Sequence, residues 1–287
     1  MCDDDTERDN EALLSRRRLG MGVAAVAMAS QISPAWAAPE GKPTSQRKVT
    51  IPTADGTADG LFVAPSEGKH PGVLMWPDVA GLRPAYEKMA TRLAAAGFAV
   101  LVVNPYYRSA PSPILGHFDE WRTDEGRAKI GPMREKLTPD AVARDGKALV
   151  AWLDDQAEVD TAKKVGTQGY CMSGPFTFHV AAATSRVGAF ASFHGGGLVV
   201  DGDDSPHGRL AHTEAAALVC IAQNDHERDP AAKPALEAAA KAAGRTAEIE
   251  VYPANHGWCA LDSPVYDEAA AERAWSRLLA WYGAHLG

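Results

Sequence analysis

The feature of this sequence that most constrains its fold is a regular alternation of short apolar runs with helical segments. Continuous apolar runs such as Gly72–Trp76 and Phe98–Val103 predict strands that are buried on both faces. Segments with helical periodicity, such as Ala85–Ala96 and Pro139–Asp155, lie between or after these strands. Because strands that alternate with helices form a mostly parallel sheet with helices on both faces, the order predicts an α/β fold.

The remaining segments extend this pattern over the rest of the chain. Arg47–Pro52 and Gly60–Ala64 predict a hairpin, and the stretch 104–137 predicts irregular structure with a short helix. The further predicted strands are Lys164–Gly169, Ala189–Phe193, Ala217–Ala222 and Thr246–Tyr252, and the further predicted helices are Pro175–Thr184, Ala231–Ala243 and Asp267–His285. Since no repeat and no Ser- or Gly-rich linker divides the pattern, we expect residues 38–287 to form a single domain.

Residues 1–37 have the features of an export leader. Adjacent arginines at Arg16 and Arg17 precede the mildly apolar run Met21–Ile32, and small residues surround Ala37. A basic region, an apolar region and a small-residue cleavage site make up a secretory signal, and adjacent arginines resemble the twin-arginine type. The apolar run is shorter than the about 20 residues of a stable membrane span. We therefore expect cleavage near Ala37, a periplasmic location and no stable membrane insertion, with a cytoplasmic protein as the alternative.

Charge and cysteine content exclude several classes of protein. The chain has 29 Lys and Arg against 37 Asp and Glu, a net charge of -8, and this acidic balance argues against a nucleic-acid binder. Four cysteines in 287 residues do not make a disulfide scaffold. No spacing of Cys or His is typical of a metal site, so neither a metal nor another cofactor is predicted.

The segment from Gly169 to Gly174, with the sequence GYCMSG, places a cysteine where a parallel sheet presents its reactive groups. It follows a predicted strand and opens a helix, which is the position of the nucleophile elbow in α/β-hydrolases. Backbone N–H groups at a helix N-terminus stabilise a thiolate, so Cys171 is a candidate nucleophile. Taken by itself, the same segment fits a small buried cysteine at a strand end.

Two further residues make the segment more informative. Asp225 and His256 each lie just after a later predicted strand, and active sites of parallel sheets form beyond the C-terminal strand ends. Singly, Asp225 could cap a helix and His256 could be a surface residue. The order Cys171, Asp225, His256 is nevertheless the nucleophile–acid–histidine order of α/β-hydrolases, and the joint match favours a triad.

The loop after the first buried strand and a later histidine complete the candidate site. In such folds this loop supplies one N–H of an oxyanion hole, so the backbone N–H groups of Val79 and Met172 are the predicted donors. Asp78 is expected close to Cys171, where a carboxylate would raise the pKa of the thiol. His194 ends a predicted strand and is either a substrate contact or a hydrogen-bonded structural histidine.

Taken together, these segments resemble the dienelactone hydrolase family over nearly all of residues 45–285. The motifs that carry the resemblance are GYCMSG around Cys171, Asp225-His226, His256-Gly257-Trp258, PDVAG around Asp78, and NPYYR ending at Arg108. The resemblance implies an α/β-hydrolase fold and an enzyme that opens lactones or cleaves esters without a metal. It also implies Cys171 as nucleophile, His256 as base and Asp225 as the residue that orients the base.

The resemblance also implies roles for residues around the triad. Asp78 stands where the family usually has Glu, which holds the resting thiol neutral and yields when substrate binds. Arg108 matches an arginine that can pair with a substrate carboxylate. A second arginine expected after the histidine is replaced by Cys259-Ala260-Leu261, and Trp76, Trp121 and Trp258 instead suggest an apolar wall.

The sequence thus predicts a hydrolase of a small ester or lactone that forms a thioester intermediate, as a monomer or dimer. One alternative is a non-catalytic binding protein with the same fold. A thiol redox protein is disfavoured, because the sequence has no Cys-x-x-Cys motif. Cys220, inside a predicted strand, is expected to be an inert core thiol, whereas Cys259 either pairs or merely packs.

Overall fold

The computed structural model describes residues 4–21 and 41–287. In this part of the chain eight strands form one sheet in the order β1-β2-β4-β3-β5-β6-β7-β8. The strands are β1 (Thr44–Thr53), β2 (Gly56–Pro65), β3 (Gly72–Trp76), β4 (Ala99–Val103), β5 (Val165–Tyr170), β6 (Val187–Phe193), β7 (Ala216–Ala222) and β8 (Ala247–Tyr252). The β1–β2 and β2–β4 pairs are antiparallel, and every other pair in the sheet is parallel.

Helices cover both faces of this sheet, and a last helix closes the chain. They are α1 (Asp4–Met21), α2 (Pro84–Ala95), α3 (Phe118–Trp121), α4 (Asp124–Arg134), α5 (Pro139–Asp154), α6 (Gly174–Ala183), α7 (Gln223–Arg228), α8 (Ala232–Ala243) and α9 (Glu268–His285). The mostly parallel sheet with helices on both faces confirms the predicted fold class.

The two faces of the sheet explain the continuous apolar runs of the sequence. Along β3, Leu74 and Trp76 pack in the core layer that α5, α6 and α8 share, while Val73 and Met75 pack in the layer of α2 and α9. Successive side chains of a strand point to opposite faces, so a strand with helices on both sides needs apolar residues at every position. Because the central strands are parallel, their C-terminal ends lie at one edge of the sheet.

The structure departs from the predicted elements in short polar segments. The stretch 104–137 contains two helices, α3 and α4, instead of one, and α7 follows β7 directly. Helix α7 has the sequence QNDHER, which offers no apolar period, so no pattern marks it. His117 and Thr123 cap α3 and α4 through their side chains, which explains how such short helices begin.

Part of the segment assigned to the leader has described structure. Helix α1 contacts the domain through Arg228, which donates to Asp9 and Thr6, and through Asn10, which donates to the His256 carbonyl at 3.1 Å. Most of the predicted apolar run, from residue 22 onward, and the cleavage site near Ala37 lie outside the described residues. Within the residues that are described, no helix combines the length and apolar character needed to cross a membrane.

Candidate active site

The structure brings Cys171, Asp225 and His256 to the C-terminal edge of the sheet. Cys171 follows β5, Asp225 lies in α7 after β7, and His256 lies in the loop after β8. His256 Nδ1 is 2.7 Å from Asp225 Oδ2, and the His256 side chain is also hydrogen bonded to Cys171. Cys171 and His256 are only 1% and 2% exposed. The sequence therefore identified three side chains that share one network.

Cys171 sits in a strained, tight turn. Its φ of 54° lies in the left-handed region of backbone conformation, which residues other than glycine rarely adopt. A Cβ at Gly169 would lie 2.1 Å from the Ser173 carbonyl oxygen, and one at Gly174 would lie 2.5 Å from the Cα of Gly195. The close contacts therefore require glycine at both positions, although the sequence analysis did not single out Gly174.

Ser173 joins this turn to the loop after β3 through hydrogen bonds. Its hydroxyl accepts the Tyr170 N–H at 3.0 Å and lies 2.8 and 2.7 Å from the carbonyl oxygens of Trp76 and Pro77. The Ser173 side chain is fully buried. These contacts give the hydroxyl a structural role and set the distance between the Cys171 turn and the loop after β3.

The network around His256 favours a charged imidazole. Burial lowers the pKa of His256, but the negative charges of Asp225 and Cys171 outweigh it and raise the pKa to about 10. Because the Cys171 thiol and the His256 imidazole are hydrogen bonded to each other, one proton is shared between them. Any measured pKa therefore describes the pair and not either residue alone. Asn224, a residue that the sequence analysis did not single out, accepts the His256 backbone N–H at 2.8 Å and so holds the loop in place.

His194 forms part of the wall beside His256. Its ring centroid lies 5.0 Å from those of both His256 and Trp258, and its backbone has a positive φ of 40°. Burial and the charge of His256 hold the pKa of His194 well below its usual value, so the ring is neutral. Among the described residues neither ring nitrogen has a hydrogen-bond partner. Trp258 is fully buried behind it and stacks on Tyr252.

The two predicted oxyanion donors belong to neighbouring backbone segments that Tyr106 links. The Tyr106 hydroxyl donates to the Val79 carbonyl at 2.7 Å and contacts the Met172 sulfur at 3.3 Å. Val79 lies in the loop after β3, and Met172 directly follows Cys171. Tyr106 thus holds the two segments next to each other, and the role of the Val79 and Met172 N–H groups as oxyanion donors stays a prediction. Tyr106 belongs to the NPYYR motif, but the sequence alone gave it no role.

Asp78 is fully buried and is held by an arginine that the sequence analysis missed. Arg83 donates to both carboxylate oxygens of Asp78, at 2.6 and 2.9 Å. Burial raises the pKa of the Asp78 carboxyl, Arg83 opposes that rise, and the charge of Cys171 adds to it. Asp78 thus lies close enough to Cys171 for their charges to interact, as predicted, but its carboxylate is already paired.

Arg108 is engaged by carboxylates of the protein itself. It donates to both oxygens of Asp145 at 2.8 Å and to Asp55 at 2.7 Å, and its side chain is 10% exposed. A substrate carboxylate would have to compete with these two ion pairs. The predicted substrate role of Arg108 therefore stays a prediction, and these contacts do not favour it.

An apolar groove lies beside the candidate oxyanion hole. It has a volume of about 280 Å³ and borders Met172, whose backbone is the predicted donor. Leu137, Val142, Pro175, Phe176 and Val200 supply its apolar surface. Trp76, Trp121 and Trp258 do not line this groove and are buried in the core. Arg134 lies at its rim and has no ion pair with any carboxylate of the described residues.

The other thiols and possible metal ligands add no second centre within the described residues. Cys171, Cys220 and Cys259 are all buried, and none of these three forms a disulfide with another. Burial raises the pKa of Cys220 to about 12, which fits an inert core thiol. No group of three or more His, Cys, Asp or Glu side chains in the described ranges could hold a metal ion.

Comparisons with known proteins agree with the architecture of this site. A carboxymethylenebutenolidase from a Pseudomonas species is 27% identical over 229 residues, which are 78% of this chain and 91% of that protein. Two solved structures share the fold. A dienelactone hydrolase-like promiscuous phosphotriesterase from metagenomic libraries has a TM-score of 0.66 at 22% identity, covering 85% of this chain and 100% of its own. A dienelactone hydrolase from Anabaena variabilis has a TM-score of 0.55 at 19% identity, covering 85% and 99%.

The protein-family model described as "Dienelactone hydrolase family" matches residues 58–286 of this sequence. These residues include every strand from β3 onward and all the candidate site residues. The match confirms the resemblance inferred from the motifs and the expectation of a hydrolase. The chain belongs to the dienelactone hydrolase family.

Proposed function

We propose that this hydrolase cleaves a small ester or lactone through Cys171 and a thioester intermediate. The observation that carries the proposal is the position of His256, which hydrogen bonds Asp225 at 2.7 Å on one side and Cys171 on the other. A base held between an orienting carboxylate and a thiol is the arrangement that activates a cysteine nucleophile. The Pseudomonas relative bears the name carboxymethylenebutenolidase, which supports a lactone or ester as substrate class.

The proposed reaction has two steps. The Cys171 thiolate attacks the acyl carbon, the N–H groups of Val79 and Met172 stabilise the oxyanion, and the alkoxide leaves with the proton that His256 carries. In the second step His256 takes a proton from water, and the resulting hydroxide attacks the thioester. The carboxylic acid then departs, and the sulfur and His256 return to their starting state.

The groove beside Met172 gives the proposal a substrate preference. Most of its lining is apolar, with Arg134, His179 and Asp204 as its polar side chains, so it fits an aryl or branched alkyl group attached to the scissile bond. The guanidinium of Arg134 at the rim, with no ion pair to the described carboxylates, could meet an anionic group at the far end of the substrate. Arg134 is therefore a stronger candidate than Arg108 for binding a substrate carboxylate.

The test is a hydrolysis screen of lactones and aryl esters, with rapid quenching and intact-protein mass spectrometry. We expect a burst of the phenol product and the mass increase of one acyl group on the intact protein, which digestion should locate on the peptide that contains Cys171. Matched esters with and without a distal carboxylate would show whether an anionic group lowers KM. Turnover without an acyl adduct on Cys171 would contradict the mechanism, and no turnover of any substrate would favour a binding protein.

We also propose that residues 1–37 direct export to the periplasm. The proposal rests on the paired arginines, the apolar run and the small residues near Ala37. Mass spectrometry of protein purified from its native host is expected to find an N-terminus near Ala38 in the periplasmic fraction. An intact N-terminus found in the cytosolic fraction alone would contradict it.

A further inference from the structure

Arg83 is a buried arginine beside the candidate site for which the proposed reaction has no use. It is the N-cap residue of α2, and its side chain is 0% exposed. Besides the two bonds to Asp78, its guanidinium donates to the two carboxylate oxygens of Asp262 at 2.8 and 2.7 Å. The rings of Tyr86 and Phe118 lie 5.0 and 5.7 Å from the guanidinium carbon. This arginine is thus fixed by two carboxylates and two aromatic rings.

The contacts of Asp78 extend this rigidity to the loop that carries Val79. Oδ1 of Asp78 accepts the Ala80 N–H at 2.9 Å, and its backbone carbonyl accepts the Gly81 N–H at 2.9 Å. Arg83 also donates to the Gly81 carbonyl at 3.1 Å. The residues on both sides of Val79 are therefore bound to one cluster, and the direction of the Val79 N–H depends on it.

Asp78 is poorly placed to do anything other than hold this loop. Both of its carboxylate oxygens accept from Arg83, and its side chain is 1% exposed. Protonation of this carboxylate would remove the charge that pairs with a buried guanidinium, which is strongly unfavourable. The structure thus shows a fixed ion pair at the position where the family resemblance implies a carboxylate that yields to substrate.

We propose that Arg83 is a positioning residue for acyl transfer, acting through Asp78 to aim the Val79 N–H at the oxyanion. This inference rests on the proposed function, because it assigns Arg83 a part in the same reaction. Arg83 touches neither the thiol nor the substrate in this role. Its contribution should appear only in a reaction that builds an oxyanion.

Two reactions of the same thiol separate this role from a structural one. Ester hydrolysis builds an oxyanion, whereas alkylation of Cys171 by iodoacetamide displaces iodide and builds none. For Arg83→Gln we expect kcat for an aryl ester to fall about 100-fold, the loss typical of one misplaced oxyanion donor. The alkylation rate at a pH high enough to ionise the thiol fully should not change, because a change of charge at Asp78 shifts the pKa of the thiol and leaves this plateau rate as it is. Arg83→Lys keeps the positive charge but cannot donate to both carboxylate oxygens as the guanidinium does. Its kcat for the ester should lie between those of the wild type and Arg83→Gln.

Arg92→Gln is the matched control. Arg92 lies on the same helix and makes a comparable two-pronged ion pair with Glu272, at 2.7 and 2.6 Å, away from the loop. We expect it to lower the melting temperature without lowering kcat. Should Arg83→Gln fail to fold, Asp262→Asn weakens the same cluster from a side chain that is 13% exposed, and a smaller loss of kcat is expected.

A double variant tests the route of the effect. If Arg83 acts through Asp78, Arg83→Gln combined with Asp78→Asn should lose no more activity than the more damaging single variant, since coupled residues are not additive. Additive losses, or equal losses of hydrolysis and alkylation in a folded Arg83→Gln, would overturn the proposal. Full activity of Cys171→Ala would instead overturn the proposed function. Failure of the proposed function is thereby distinguished from failure of the role given to Arg83.

Discussion

Replacing Cys171 with Ala is expected to lower kcat/KM for ester hydrolysis by about 10⁵-fold, the scale on which a lost nucleophile acts in triad enzymes. The physical reason is the geometry at the end of β5, where the strained turn presents this sulfur to His256. No other described side chain at the turn can replace it, because the Ser173 hydroxyl is held by backbone groups of three residues. Steady-state hydrolysis of an activated aryl ester measures the loss.

The matched control for this variant is Cys220→Ala, which removes a second buried thiol from the same sheet. Cys220 lies in β7 and faces the core layer of α2 and α9, so its loss should lower the melting temperature and leave kcat/KM unchanged. Wild-type activity in Cys171→Ala would refute the assignment of the nucleophile. Loss of activity in a folded Cys220→Ala would show that the effect of Cys171→Ala is not specific to the proposed nucleophile.

The sheet and the three candidate triad residues could be predicted because their signals are local. A strand covered on both faces must be apolar throughout, and β3 was predicted with its observed bounds from that property alone. The reactive residues follow because parallel strands bring their C-terminal ends to one edge. The prediction needed only the position of each residue after a strand and the order Cys171, Asp225, His256 along the chain, which is that of α/β-hydrolases.

The arrangement of charge around the site could not be predicted, because most of its ion pairs join residues far apart in sequence and no motif marks the nearer pair, Asp78 and Arg83. Arg83 meets Asp262 across 179 positions, and Arg108 meets Asp145 across 37. No period or motif connects such residues. The resemblance to the family therefore gave Asp78 and Arg108 roles that the observed ion pairs do not favour, while Arg83 and Arg134 went unnoticed in the sequence.

The site also has a clear division between charged and neutral groups. Although burial lowers the pKa of His256, Asp225 and Cys171 raise it to about 10, whereas burial and the charge of His256 hold the pKa of His194, 5.0 Å away, well below its usual value. A neutral ring can line the wall without repelling the imidazolium. A second positive charge at that distance would oppose the charge with which, in the proposed reaction, His256 protonates the leaving group.

Asp225→Asn is expected to lower kcat about 10³- to 10⁴-fold, as loss of the orienting carboxylate does in serine triads. The carboxylate at 2.7 Å from His256 Nδ1 fixes the ring and stabilises its charged form. Asn has the same shape but no charge, so the pKa of His256 should fall. The proton of the pair then moves toward the sulfur, and attack on the ester slows.

The direction of the pH effect distinguishes this role from simple unfolding. Since Asp225 favours the imidazolium, and the imidazolium accompanies the thiolate, the variant should need a higher pH than the wild type to reach half of its maximal alkylation rate with iodoacetamide. Asp229→Asn, an exposed change four positions along the chain, should leave both the rate and the pH profile as they are. If Asp225→Asn hydrolyses esters at the wild-type rate, or its alkylation profile moves to lower pH, then Asp225 does not orient His256, and the proton on His256 must be stabilised by Cys171 alone.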